Sequence, residues 1–454
     1  MSPSELHQQM PRVSPCVEAS PKDVSVLCKP GHRHNRLKNA GQWPMQRRRR
    51  LYQRRMALMA KKQKVHSLTG RIDERMMRQA FKAVKRNRGA AGIDKVSIAM
   101  FEENLDANLA ALMQDLKTKG TFVPKPLRRV WIPKDSSGKK LRPLGIPAVR
   151  DRVAQEVVRR LLEPIFEPKF HDCSFGFRPR RGCHLAIRRV LSFHEDGDCV
   201  TLDADIAGFF DNIPHKLIVD AVAEEVADGN ILDLVKRFLA AGVLENGIFK
   251  PTTIGTPQGG VISPLLANIV LNKLDWRLAD AGFRFVRYAD DFVVVCKDRQ
   301  QAQAALTLVE IVMADLGLSL SPEKTKIASF GKGYDFLGFR LSSQSCTMRP
   351  KSLEKFKTKI REITRRCNNL DADVILKLNR VIRGTANYFA TNFSTCVKLY
   401  QKLDKWIRMR VRCMKFKRKL STDNYRMKQR VFDKKLGLLR MLDFTATTMR
   451  KSLI

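Results

Sequence analysis

Two short, very apolar segments, Phe285-Val286 and Phe292-Val293-Val294-Val295, meet at Tyr288-Ala289-Asp290-Asp291, and this junction constrains the fold more than any other part of the chain. Runs of that length, rich in valine and phenylalanine and bounded by a turn, read as buried strands. The pattern predicts a hairpin over 283–296 that carries paired carboxylates into a hydrophobic sheet. Aspartate is common in turns for local reasons, so the pair alone decides nothing. A second apolar strand, Cys199 to Ile206, is interrupted by Asp203 and Asp205, and a strand that buries acid needs a reason. Acids facing one another in an apolar sheet repel and raise each other's pKa unless cations neutralise them.

Oxygen ligands of this hard type suit Mg²⁺. Two such ions about 4 Å apart can activate a primer 3′-hydroxyl and stabilise the pyrophosphate that leaves an incoming nucleotide. The charge of the chain agrees with a nucleic-acid substrate. Its 85 Lys and Arg against 45 Asp and Glu leave a net +40, a self-repulsion that a polyanionic partner relieves. The basic residues run along the whole chain and are not gathered on one amphipathic helix, which argues against a membrane surface. No window approaches the roughly 18 apolar residues of a bilayer span, and the first residues, MSPSELHQQMPRVSPC, lack an apolar run, so a cytoplasmic protein with no membrane partner is expected. Ten cysteines without a CxxC pair read as free thiols, and Cys16, Cys28, His32 and His34 match no common zinc spacing.

Residues 1–60, rich in Pro, Ser, Gln and Arg, read as a basic arm without a core. Helices are expected at Phe101–Leu116, Asp151–Leu162, Ala221–Leu239, Ser263–Leu278 and Ala302–Leu316, and strands at Arg129–Lys134, on a return from the turn Asp135–Gly138 that ends at Leu144–Pro147, and over Tyr334–Leu341. The order suggests an α+β sheet layer with helices on one side. From Lys351 only basic helices follow: Glu354–Arg365, Ala372–Phe389, Cys396–Lys415 and a weaker one near the end.

The Tyr288-Ala289-Asp290-Asp291 box with the separate Asp205 strand resembles the reverse transcriptase family. Thr256-Pro257-Gln258-Gly259-Gly260 looks like its PQG motif, Phe210 sits where that family excludes a 2′-hydroxyl, and Lys134 and Arg142 match its triphosphate-binding fingers residues. Lys324 and Lys326 resemble its later palm lysines, either of which could help the leaving pyrophosphate or be a plain surface charge. Five further segments, Gly89–Asp94, Ile132-Pro133-Lys134, Arg142–Pro147, Ser174–Pro179 and Tyr334–Phe339, resemble group II intron-encoded proteins, and Arg383–Phe389 looks like their maturase helix. The likeness runs from about residue 65 to about 430.

That resemblance implies a right-hand polymerase: fingers and palm with an antiparallel sheet, followed by an all-helical thumb or maturase domain. The expected divisions are 61–198 for an N-terminal extension and fingers, 199–345 for the palm, 346–430 for the thumb and maturase domain, and 431–454 for a short basic tail. It implies catalytic Asp205, Asp290 and Asp291, with two Mg²⁺ held by Asp205, the Ile206 backbone and Asp290. Gln258 and Gly259 would contact the nucleotide, Arg383 would meet RNA, and the run Arg178, Arg180 and Arg181 reads either as phosphate contacts or as solvated charge. The implied partners are intron RNA, target DNA with its primer, and deoxynucleoside triphosphates, in an enzyme that assists splicing and copies the intron into DNA. Oligomeric state is not legible. After Cys413 there is no Cys or His, so the expected lineage lacks the HNH endonuclease. A splicing-only maturase, or a domesticated enzyme of the same fold in host defence or repair, stands as the alternative.

Overall fold

The acid-bearing hairpin forms as its apolar arms require: Arg284–Tyr288 and Asp291–Cys296 pair antiparallel, with Tyr288 opposite Asp291 across a two-residue loop. A computed structural model describes residues 64–133, 141–256 and 259–445, so the expected basic arm, Lys134, Gln258 and most of the expected tail's end lie outside the described residues. Val200–Asp205 runs antiparallel beside Asp291–Cys296 and places Asp205 opposite Asp291, while Lys326–Ser329 closes the far edge of this four-stranded sheet.

Alternation along these strands divides their side chains between two cores. Leu202, Ala204, Phe285, Phe292 and Val294 face a core shared with the helices Glu74–Arg86, Leu105–Lys117, Val149–Phe166, Ser263–Asp280 and Arg299–Asp315. Val286, Val293 and Val295 face a second core built from the helix Cys183–Glu195, a small three-stranded sheet and the C-terminal helices. The expectation of helices on one side is therefore corrected: both faces are covered, which is why the strands are continuous in apolar residues rather than alternating with polar ones.

The fingers hairpin, Leu127–Pro133 with Leu141–Ile146, extends through Val243–Glu245 and Ile248–Lys250 into another four-stranded sheet. Those last two strands are three residues each, too short to show a periodicity in sequence. Two expected helices each divide in two. Phe101–Leu116 becomes Ile98–Glu103 and Leu105–Lys117, broken at Asn104 with its ψ of 46°. Ala221–Leu239 becomes His215–Ala223 and Gly229–Ala240, because Asp228 caps the second helix by accepting from the Asn230 and Ile231 amides. The expected strand Tyr334–Leu341 folds back at Leu337-Gly338 into Tyr334–Phe336 and Phe339–Ser342, and Ser345–Met348 adds a third strand. The helices Pro350–Ile363, Ala372–Phe389 and Val397–Lys415 follow. The Tyr388 hydroxyl donates to the Leu337 carbonyl at 2.8 Å, and the Phe339 and Phe389 rings lie 4.8 Å apart, so the maturase-like helix is bound to the small sheet. No described helix is long and apolar enough to cross a membrane.

Asp228 also accepts from the amide and hydroxyl of Thr69, tying the N-terminal segment to the helix it caps. Asp228→Ala is expected to cost about 0.5–2 kcal/mol, the range for a lost N-cap, read as a lower urea midpoint with an unchanged slope.

Candidate active site

Strand register alone gathers the acids. Asp205 ends one strand, Asp291 opens its neighbour directly opposite, and Asp290 occupies the loop beside them. Beyond Asp205 the chain is fastened by Ser321 N donating to Asp205 O at 2.7 Å and Ala207 N donating to Ser319 O at 2.9 Å. These bonds flank Ile206, whose own carbonyl, by the alternation of an antiparallel ladder, faces the edge that carries Asp291. Ile206 can thus offer a backbone oxygen beside the Asp205 carboxylate.

The electrostatics are those of crowded anions. Burial first, and then Asp205, raise the Asp290 carboxyl above the usual carboxylate range, against the opposing pull of Arg142 and Lys324. Asp291 is pushed up to about 7 by burial and by repulsion from Asp203, Asp290 and Asp205. Asp203, two residues before Asp205 and on the same face of its strand, is pushed up to about 6 by burial and by Asp205. Sequence reasoning noted Asp203 within the acid-bearing strand but did not count it among the site residues; its signal was the period of two. Lys324 Nζ lies 2.6 Å from Asp205 Oδ2, with side-chain exposures of 65% and 41%. A pair that open contributes little and separates readily, so the Asp205 position attracts a cation without being committed to this one.

These residues fit magnesium. Among the described residues no group of three or more Asp, Glu, His or Cys side chains is gathered to hold a metal ion by itself. Mg²⁺ commonly takes one or two carboxylates and completes its shell with water and substrate phosphates, which is what an open edge with Asp205, Asp290 and the Ile206 carbonyl provides.

The loop itself is strained. Ala289 has φ of +60°, a conformation that costs a residue with a Cβ about 1–3 kcal/mol and persists where surroundings over-determine it. Gly176 is part of those surroundings, since a Cβ there would lie 2.3 Å from the Ala289 nitrogen. Hence the glycine in Ser174-Phe175-Gly176-Phe177: no side chain fits between that segment and the loop.

The remaining expected residues are distributed unevenly. Phe210 is half-buried in the short helix Phe209–Asn212, its ring 5.3 Å from that of Phe209, and its carbonyl accepts from Thr256 N at 2.7 Å. That bond brings the aromatic and the start of the PQG segment together. Gly259, with φ of +114°, lies against the fingers return strand, where a Cβ would sit 2.5 Å from the Gly145 carbonyl. Arg142 is exposed on that strand, opposite Ile132. Lys326 stands opposite Asp203 at the far edge of the palm sheet, and Arg383 is exposed on Ala372–Phe389. Arg178 departs from expectation. Its guanidinium is buried, with its donors engaged by the Glu167 carboxylate and the carbonyls of Glu167, His171 and Ser174. It holds the fold together and offers nothing to phosphate.

The stretches that build this site also match known proteins. The reverse transcriptase (RNA-dependent DNA polymerase) family matches residues 132–341, and the group II intron, maturase-specific domain matches residues 353–432. Protein YkfC of Escherichia coli strain K12 is 36% identical over 293 residues, covering 55% of this chain and 75% of that protein. The group II intron-encoded protein LtrA of Lactococcus lactis subsp. cremoris is 40% identical over 211 residues, 46% of this chain and 34% of LtrA. A putative COX1/OXI3 intron 2 protein of Saccharomyces cerevisiae is 28% identical over 337 residues, covering 61% of this chain and 39% of that protein. The chain thus spans three quarters of the first and about a third of the second.

The raised Asp203 carboxyl makes a signed prediction. A group whose folded pKa lies above its unfolded value binds an extra proton in the folded state, so its contribution to stability falls as pH rises from about 4 through about 6. Asp203→Asn should therefore melt higher than the wild type at pH 8, with the gap closing by pH 4. Thermal melts across that range check this.

Proposed function

The chain belongs to the group II intron-encoded reverse transcriptases, RNA-directed DNA polymerases with an attached maturase domain, and from that premise we propose that it binds a structured intron RNA, assists its splicing and copies it into DNA from a primer at a target site. The observation that carries the polymerase reading is the register that sets Asp205 opposite Asp291 with Asp290 in the adjoining loop. Acids held together at this cost call for a cationic occupant.

When bound, two Mg²⁺ supply activation of the primer 3′-hydroxyl and stabilisation of the leaving pyrophosphate. Asp205, Asp290 and the Ile206 carbonyl would hold them. Asp291, raised by burial and then by its acidic neighbours, supports the edge from the adjacent strand. Arg142 and Lys324, which already act on Asp290 electrostatically, supply positive charge to the triphosphate; Arg can do so through its planar fork and Lys as a point charge. Lys324, whose pair with Asp205 is largely exposed, could turn from that carboxylate to a phosphate oxygen of the substrate. The half-buried Phe210 ring, fixed by the Phe209 contact and the Thr256 bond, forms a wall against the sugar and leaves no room for a 2′-hydroxyl. The basic C-terminal helices hold RNA by phosphate contacts and shape, without reading base edges in a helix.

Primer extension on an RNA template with Mg²⁺ and deoxynucleotides tests the reading. Asp205→Ala and Asp290→Ala are each expected to reduce extension by at least about a hundredfold, the scale of several kcal/mol of lost metal stabilisation, while RNA binding persists. A wild type that binds RNA but never extends a primer would favour the splicing-only maturase instead. Phe210→Val is expected to raise ribonucleotide incorporation relative to deoxynucleotide incorporation, measured by competing the two on one template.

A further inference from the structure

Arg287 is a charged side chain with no exposure at all, opposite Phe292 in the palm hairpin. Its Nε and Nη2 donate to the two carboxylate oxygens of Asp275, at 2.7 and 2.5 Å. Its Nη1 donates to Asn268 Oδ1 at 2.8 Å and to the Ala289 carbonyl at 2.9 Å. Asn268 in turn donates through Nδ2 to the Gly176 carbonyl at 2.8 Å, the same glycine that backs the Ala289 nitrogen. Asp275 and Asn268 are likewise buried, seven residues apart on the helix Ser263–Asp280 and so on one face of it. On either side of this network the backbone is fastened too, with Phe175 N donating to Arg287 O and Arg287 N to Cys173 O.

A buried ion pair of this kind is poor evidence for stability, since an apolar pair of similar volume often serves a fold as well or better. What the apolar pair cannot do is hold a carbonyl. The carbonyl held here belongs to Ala289, the residue with positive φ, one position before Asp290. We propose that Arg287 is a positioning residue for catalysis: Asp275 and Asn268 aim its guanidinium at the Ala289 carbonyl, and that bond keeps the loop in the left-handed conformation that presents Asp290 to the metal. The inference rests on the polymerase reading above and adds to it a support that does not itself touch substrate. Loss of the bond lets Ala289 relax toward negative φ and moves Asp290 away from Asp205.

The test uses the full chain with Arg287→Met and Asp275→Leu combined, which removes both buried charges together, and Arg287→Lys, which keeps the charge but not the fork that reaches Asp275 and Ala289 at once. Extension by wild type and by Asp290→Ala is measured alongside, with thermal melts and RNA binding for every protein. Folded variants are expected to lose tenfold or more in kcat, to need more Mg²⁺ for half-maximal rate, and to keep the KM for deoxynucleotide and the affinity for RNA. Ala289→Gly, added to either variant, is expected to restore part of the rate, because glycine adopts the loop conformation without being held. A purely structural role would show as a lower melting temperature with unchanged kcat and Mg²⁺ dependence and no rescue by glycine, and that result overturns the inference alone. A wild type that extends no primer overturns the polymerase reading and this inference with it.

Discussion

Like-charge repulsion among Asp203, Asp205, Asp290 and Asp291 is the interaction on which the rest of the structure depends. Strand register creates it by placing Asp205 opposite Asp291, and burial sharpens it by removing the water that would screen it. The surroundings are organised to withstand it. Four strands are fastened by antiparallel ladders, apolar cores press on both faces, and a strained loop is backed by a glycine on one side and an arginine on the other. On the proposed function, that cost in stability is what a site for divalent cations entails.

Two cores, rather than one, give this sheet its role as a platform. The first joins it to the N-terminal and fingers helices, and the second to the helices that carry the maturase-like segment. The acid-bearing hairpin contributes side chains to both, so the proposed RNA-binding helices and the carboxylate edge are attached to the same strands. Tyr388 on the maturase-like helix and Leu337 at the turn of the small sheet make that attachment a direct hydrogen bond.

Much of this could be read from residues alone. The acid hairpin was legible because aspartates flanked by runs of valine and phenylalanine are too costly to bury for the sake of a turn, and the helix Ala372–Phe389 forms over the range its pattern gave, with Asp371 capping its start in the fold. What escaped reading was set by distant partners. Asp228 looks like an ordinary surface acid until Thr69, 159 residues away, donates to it. Arg178 lies in a run of arginines that suggests phosphate, and only the fold shows Glu167 claiming it. Arg287 and Asp275 stand in separate elements, and nothing local in either states that they face each other without solvent. Charge identifies which residues can pair, but the fold decides which of them face inward.

On the proposed function, the crowded carboxylates exist to hold divalent cations at a polymerising site. Binding of Mn²⁺, followed by electron paramagnetic resonance with an RNA template, a primer lacking its 3′-hydroxyl and an incoming deoxynucleotide, tests this most directly. Two bound ions per chain are predicted for the wild type, with at least one lost in Asp290→Ala while template and primer stay bound. Equal Mn²⁺ binding by both proteins would contradict the proposal and leave the buried acids without the purpose assigned to them.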